Sequence, residues 1–252
     1  MSSEKSLAIV LRIVEFSETS IITTLFTDTF GKLSALAKGA RRPKSPFEAA
    51  LDLLAVCRIV FIHKSTDALD LLTEAKLERR FRSSTRDLSR LYAGYYVAEL
   101  LTDLTDANDP HPVLFQAANQ SLFDLDNGEA VAPTVLRFEL SMLHELGFLP
   151  SLENCVGCGE PVELGGRVAF GMLAGGVLCG RCRAGQRSVV SASTAAVTTL
   201  SRFAEKSDAW KQTEIDRRTM GEIRGLLNNY LAHVMGHRPK MRQYLGILEA
   251  GQ

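Results

Sequence analysis

Two cysteine pairs carry the most specific chemistry in this chain: Cys155-Val156-Gly157-Cys158 and Cys179-Gly180-Arg181-Cys182, with twenty residues between them. Each Cys-x-x-Cys can place two thiolates on one side of a tight turn. Two such turns supply four soft ligands for a tetrahedral Zn²⁺, at about 2.3 Å per Zn–S bond. Gly157, Gly159 and Gly180 suit a backbone that must turn closely around an ion. With Cys155, Cys158, Cys179 and Cys182 all engaged, no coordination position stays open for a catalytic water, so the expected site is a structural zinc ribbon. A thioredoxin-like redox pair, two disulfides and an iron–sulfur cluster are the other uses of four cysteines. A redox pair needs only one Cys-x-x-Cys beside a βαβ unit, and disulfides need an oxidising compartment; the spacing favours zinc. The fifth cysteine, Cys57, sits in the apolar run 53–62 and reads as a small buried hydrophobe.

A second chemistry lies in residues 31–46, which hold Lys32, Lys38, Arg41, Arg42 and Lys44 and no acid. Lys38, Arg41, Arg42 and Lys44 belong to a loop leaving a strand, with Gly39 and Pro43 fixing its turn. Mobile cations on an exposed edge are what a phosphate backbone needs, and each neutralised phosphate releases counterions. A solvated loop kept soluble by charge is the plainer reading. The Gly-x₄-Gly-Lys-Ser/Thr order of a nucleotide-binding loop is absent. Phe16, Phe26, Phe30 and Phe61 could stack on bases, although phenylalanines more often fill a core. The five histidines are scattered, with no His-Glu-x-x-His and no nucleophile at matching spacing, and the chain is expected not to be an enzyme.

The elements that must position these residues follow from periodicity. At 252 residues, 46% hydrophobic and 23% charged, the chain has the composition of a globular protein with a sizeable core. No run of eighteen apolar residues suggests a membrane span, and Arg12 and Glu15 interrupt the first sixteen residues, so a strand is expected there rather than a signal peptide. A cytoplasmic location is expected. Residues 7–13, 20–27, 32–38, 55–63 and 69–77 read as five short strands. Five strands without a long intervening helix suggest a small barrel, with the OB-fold as the leading candidate and an SH3-like barrel not separable by strand count. Beyond Arg80 the period turns helical. Helices are expected near 88–104, 113–125, 133–146 and 219–235, with Gly147 and Gly236 ending the last two. Ser191 or Ser193 would cap another helix running to Phe203. The predicted architecture is multidomain α+β: an OB-fold barrel over 1–80, then a helical domain over 81–252 with a four-cysteine zinc ribbon inserted at 153–185.

Net charge is zero, but its distribution is uneven. Residues 76–90 carry Lys76, Arg79, Arg80, Arg82, Arg86 and Arg90 against Glu78 and Asp87, whereas residues 91–136 hold seven acids and no Lys or Arg. The expectation is a positive end that attracts a polyanion and a separate negative end.

The chain resembles the RecO family of bacterial DNA-repair proteins. The resemblance is carried by TLFTDTFGKLSALAKGARRPKS (24–45), LSMLHELGFLPSLENCVGCG (140–159), GGVLCGRC (175–182) and YLAHVMGHRPKMRQYL (230–245), in family order over nearly the whole chain. It implies an N-terminal OB-fold, a helical domain and a zinc-binding insertion. It also implies a recombination mediator without turnover that binds single- and double-stranded DNA, anneals strands, and acts with RecR to help RecA displace single-strand-binding protein. The family's basic loop falls on Lys38, Arg41, Arg42 and Lys44, with Lys32 on the adjoining strand. The C-terminal tail of single-strand-binding protein is an implied partner of the helical domain, and a bacterial cytoplasmic, nucleoid-associated location is implied too. A zinc-stabilised enzyme acting on RNA and a protein adaptor with a basic interaction loop are the competing readings.

Overall fold

A computed structural model describes residues 3–47, 50–64, 69–83 and 87–246. Five strands come first: β1 (Ser3–Glu15), β2 (Ile21–Thr27), β3 (Gly31–Ala37), β4 (Val56–Ile62) and β5 (Asp70–Arg79). They form a closed barrel in the order β1-β2-β3-β5-β4, with β4 returning to β1. Closure depends on the length of β1. Its first half, Ser3–Ile9, pairs antiparallel with β4, and its second half, from Ala8 to Glu15, pairs with β2. A bulge between Val10 and Arg12 lets the strand bend from one neighbour to the other. The seam is a short parallel pairing of β3 with β5 through Ala35, Leu36 and Ala37.

The interior follows the two-residue period. Leu33, Ala35 and Ala37 of β3 and Cys57, Ile59 and Phe61 of β4 are buried in one cluster with Val10, Leu25 and Leu72. Alanines (Ala8, Ala35, Ala37, Ala50, Ala55, Ala75) are interleaved with the larger side chains, as a narrow five-stranded barrel leaves little room. In β1 the inward face is Ala8 and Val10, yet Ile9 and Leu11 are buried as well. The alternation of Leu7, Ile9, Leu11 and Ile13 points to the odd-numbered face as the inward one, whereas Ala8 and Val10 are the residues that enter the barrel cluster. The other face is also covered because a helix, α1 (Leu88–Leu104), packs on β1.

Gly31 ends the β2–β3 turn at φ +69°, and a Cβ there would lie 2.1 Å from the carbonyl oxygen of Asp109. Both the backbone angle and the passing chain require glycine. The next helix, α2 (Pro112–Asp126), starts with proline in its first turn and packs on β2, where Phe26 and Phe115 approach at 6.2 Å between ring centroids. Near the C-terminus a short helix, α6 (Arg242–Gly246), lies on α1 with Tyr92 against Tyr244. Its start is held by Glu99, whose carboxylate accepts the N–H groups of Lys240 and Met241 at 2.6 and 2.9 Å.

The chain divides into two compact units: Met1–Thr134 with Lys240–Gln252, and Val135–Pro239. The division falls in the first turn of α3 (Val131–Glu145). The second unit contains β6 (Arg167–Gly171), β7 (Gly176–Leu178) and β8 (Val189–Ser193) in the sheet order β7-β6-β8, followed by α4 (Thr194–Ala204) and α5 (Arg217–Met235). Ser193 caps α4 and Asp216 caps α5, each by accepting backbone N–H groups of the first turn. Gly236 ends α5 in the left-handed conformation at φ +74°. Glu139, fully buried, pairs with Arg224 at 2.5 Å, joining α3 to α5 inside this unit.

Candidate nucleic-acid interface and metal centre

The basic loop leaves β3 at Lys38 and is tied to the β1–β2 turn by backbone. Arg41 N–H donates to the Thr19 carbonyl at 3.0 Å, and Gly39 N–H donates to Ser20 Oγ at 3.3 Å. Two tight turns follow. Arg42 N–H donates to Gly39 O at 3.0 Å, with Gly39 at φ +72°, and Ser45 N–H donates to Arg42 O at 3.1 Å. In the second turn Pro43 occupies the first central position and Lys44 the next, at φ +59°. That position strongly favours glycine. A lysine held there costs backbone energy and gains a cation at the tip.

Lys38, Arg41, Arg42 and Lys44 are all exposed on this one rim of the barrel. Arg41 pairs with Glu15 at 3.1 Å, both side chains being largely exposed, so the pair is worth at most about 1 kcal/mol and can be exchanged for a stronger anion. Among the described residues no carboxylate lies within ion-pair distance of Lys38, Arg42 or Lys44. The loop lines an open cleft of about 510 Å³, to which Ile13, Ile21, Phe47 and Leu51 give an apolar side. Phe16, 61% exposed, follows Glu15 at the end of β1, whereas Phe26 and Phe61 are buried and Phe30 packs edge-on against Phe61. Of the four candidate stacking rings, Phe16 alone stands well out from the surface beside the loop. Neither Glu15 as the partner of Arg41 nor the apolar side of the cleft is legible in the sequence, since both bring together residues far apart in the chain.

Lys32 is not brought to this loop. It opens β3 at the far end of that strand, about 20 Å along the chain from Lys38. Its ammonium donates to the carbonyls of Thr102 and Thr105 at the C-terminal end of α1, where a cation complements the helix dipole. Burial holds its pKa below the ordinary lysine value, against the pull of Asp106 and Asp103. Two arginines of the basic stretch 76–90 are engaged internally, while Lys76, Arg80 and Arg82 are exposed. Arg90 donates to the carbonyls of Leu125, Gly128 and Glu129, and Arg79 donates to the Asn119 carbonyl and stacks over Phe123. Asp126 accepts the backbone N–H groups of Arg82 and Ser83 at 2.8 and 2.7 Å. Arg86 lies outside the described residues. Three histidines pair with carboxylates at separate places: His63 with Asp70, His111 with Asp109, His144 with Glu145.

In the second unit the four cysteines meet as the spacing predicts. Their sulfurs all lie within 4.8 Å of one another, and Cys158 and Cys179 are 3.9 Å apart. A tetrahedron of Zn–S bonds has edges of about 3.8 Å, so the set fits such an ion with small adjustment. The two knuckles share one design. Gly159 N–H donates to Cys155 O at 2.8 Å, and Arg183 N–H donates to Cys179 O at 3.0 Å. Backbone N–H groups also point at sulfur: Cys179 and Gly157 to Cys155, and Cys182 to Cys179, at 3.3–3.4 Å. Gly157 is needed because a Cβ would sit 2.9 Å from that of Cys182. Donation from Cys179 N–H draws the Cys155 thiol down to about 6, while the Cys179, Cys158 and Cys155 sulfurs push Cys182 up to about 12. Four thiols this close cannot all ionise without a cation among them. Cys57 stays apart in the barrel core, its thiol pushed up to about 12 by burial.

No helix among the described residues is long and apolar enough to cross a membrane. The family model described as Recombination protein O N terminal matches residues 1–81, and that described as Recombination protein O C terminal matches residues 85–243. The chain is 42% identical to the DNA repair protein RecO of Rhodopirellula baltica, over 95% of this chain and 97% of that one. It is 32% identical to the RecO of Myxococcus xanthus (94% and 95% covered) and 31% identical to that of Symbiobacterium thermophilum (97% and 97%). A barrel whose loop clusters cations, a four-cysteine centre and end-to-end similarity to these proteins lead to one conclusion: the chain belongs to the RecO family of DNA repair proteins.

Proposed function

We propose that this protein is a non-catalytic recombination mediator that binds single- and double-stranded DNA and anneals complementary strands. It would act with RecR to help RecA displace single-strand-binding protein, whose C-terminal tail would dock on the helical part, in the bacterial cytoplasm at the nucleoid. Family membership supports the partners and the location. The barrel's strand order, with closure of β4 onto β1, supports an OB-fold over residues 1–80, followed by a helical domain over 81–252 that carries the zinc ribbon at 153–185. Zinc would be held by Cys155, Cys158, Cys179 and Cys182, and would supply cross-linking of the two knuckles rather than reactivity.

The observation that carries the DNA reading is the loop itself. Lys38, Arg41, Arg42 and Lys44 are presented on a backbone fixed by two turns, one of which keeps lysine where glycine would sit more easily. Backbone phosphates would replace Glu15 on Arg41, and an unstacked base would rest on Phe16. Lys32, engaged on α1, is left out of this surface. Exchanging Arg41→Ala together with Arg42→Ala is expected to weaken binding to all sequences alike. It should also lower the slope of log affinity against log salt by about 1.4 on single strands. Titration of labelled oligonucleotides across salt concentrations measures both. An unchanged affinity and slope would remove the loop from the interface, and failure of the intact protein to anneal strands coated with single-strand-binding protein would remove the mediator role.

A further inference from the structure

The second knuckle and the turn after it carry a charge that the metal centre does not explain. From Leu164 to Ala204 there are five arginines, no lysine and no acid, in a chain whose net charge is zero. Arg181, Arg183 and Arg187 fall within seven residues and are all exposed. Elsewhere in the protein several arginines are docked: Arg79, Arg90 and Arg137 on backbone carbonyls, Arg167 on Glu222, Arg224 on Glu139. Among the described residues Arg181, Arg183 and Arg187 have no carboxylate within ion-pair distance. Their backbone is nonetheless fixed at both ends. Cys182 N–H and Arg183 N–H fold the knuckle onto Cys179, Gly185 turns the chain at φ +81°, and Ser188 O accepts Met172 N–H at 3.0 Å from the β6–β7 turn. Each of these three exposed guanidinium groups on a short, anchored turn offers the planar fork of donors that suits bidentate contact with phosphate.

We propose that the turn Cys179–Ser188 is a second phosphate-contact surface, which takes the backbone of a nucleic-acid strand through Arg181, Arg183 and Arg187. It rests on the reading of the protein as a DNA binder but not on the basic loop, which belongs to the other compact unit. A tetrathiolate around a divalent ion carries two net negative charges, so the competing use of these arginines is to balance the metal centre. Three arginines exceed that need, and Arg187 lies five residues beyond the last cysteine.

The test uses the intact chain and a labelled single strand of mixed sequence, titrated from low to high salt with zinc content measured on each sample. Arg181→Ala, Arg183→Ala and Arg187→Ala together are expected to weaken binding roughly tenfold or more and to lower the salt slope by about 2, at about 0.7 per lost phosphate contact. The same three positions changed to lysine should keep most of the slope, and zinc should stay with the protein in every variant. Affinity and slope equal to the unaltered chain in the alanine variant would overturn the proposal. Loss of zinc in the alanine variant, with binding weakened only in step with it, would also overturn it in favour of charge balance. An unaltered chain that binds no strand at all would instead overturn the DNA reading itself, before any variant is compared.

Discussion

Lys44 and Gly31 both occupy left-handed backbone, for opposite reasons. Gly31 has no alternative, because the chain at Asp109 passes where a Cβ would be. Lys44 is exposed at a turn position that favours glycine, so the side chain rather than the backbone explains its presence. Lys44→Gly is therefore expected to act in two directions. Thermal or denaturant unfolding should show a gain of up to about 1 kcal/mol from relief of the left-handed conformation. DNA binding should weaken and lose about 0.7 of salt slope on single strands. A variant that gains stability and keeps full affinity would make Lys44 a bystander. The four loop cations were legible in the sequence because charge density is local. The role of Lys32 was not: its acceptors on α1 lie some seventy residues away in the chain. Phe16, Phe26, Phe30 and Phe61 were equal candidates in the sequence, and only the strand pairing and its burial separate Phe16 from the others.

At the level of elements, what the sequence revealed was whatever is encoded within a few residues. Both knuckles, the glycines that end α3 and α5, and the Ser193 cap of α4 all have their partners close by. Strand β8 and helix α6 have no such local signature. The first exists through pairing with β6 across about twenty residues, and the second starts on a carboxylate from Glu99, 141 residues earlier. The knuckle-to-knuckle link shows how much one element depends on chemistry rather than packing. The sulfurs of Cys155 and Cys179 accept backbone N–H groups that hold them toward a common centre. With zinc bound as proposed, Cys179→Ser is expected to lower the metal content and, with it, protection of the amides in β6 and β7 in hydrogen exchange. Strands β1–β5, in the other compact unit, should keep their protection. Loss of protection across the barrel as well would show that the centre supports more than its own segment.

For the molecule as a whole, the uneven charge along the sequence does not become a simple positive end and negative end. The acidic stretch 91–136 and the basic stretch 76–90 meet within one compact unit, where Asp126 holds the backbone of Arg82 and Ser83 and Arg90 holds the end of α2. The loop from Lys38 to Lys44 gathers four exposed cations on one short turn, while other exposed basic side chains of the barrel, such as Lys5, Arg12 and Lys76, stand apart from one another in the chain. This division of labour has a measurable consequence. Arg90→Ala removes a guanidinium bonded to the carbonyls of Leu125, Gly128 and Glu129, and should destabilise the protein by about 2 kcal/mol. Its salt slope for DNA should stay that of the unaltered chain. Arg42→Ala should do the reverse, leaving the unfolding midpoint almost unmoved and lowering the slope by about 0.7 on single strands. The two arginines are alike in charge and are both in the N-terminal half, so total charge alone would give them equal effects on binding. Equal effects would restore the picture of a diffuse positive end; opposite effects would place the attraction at the loop.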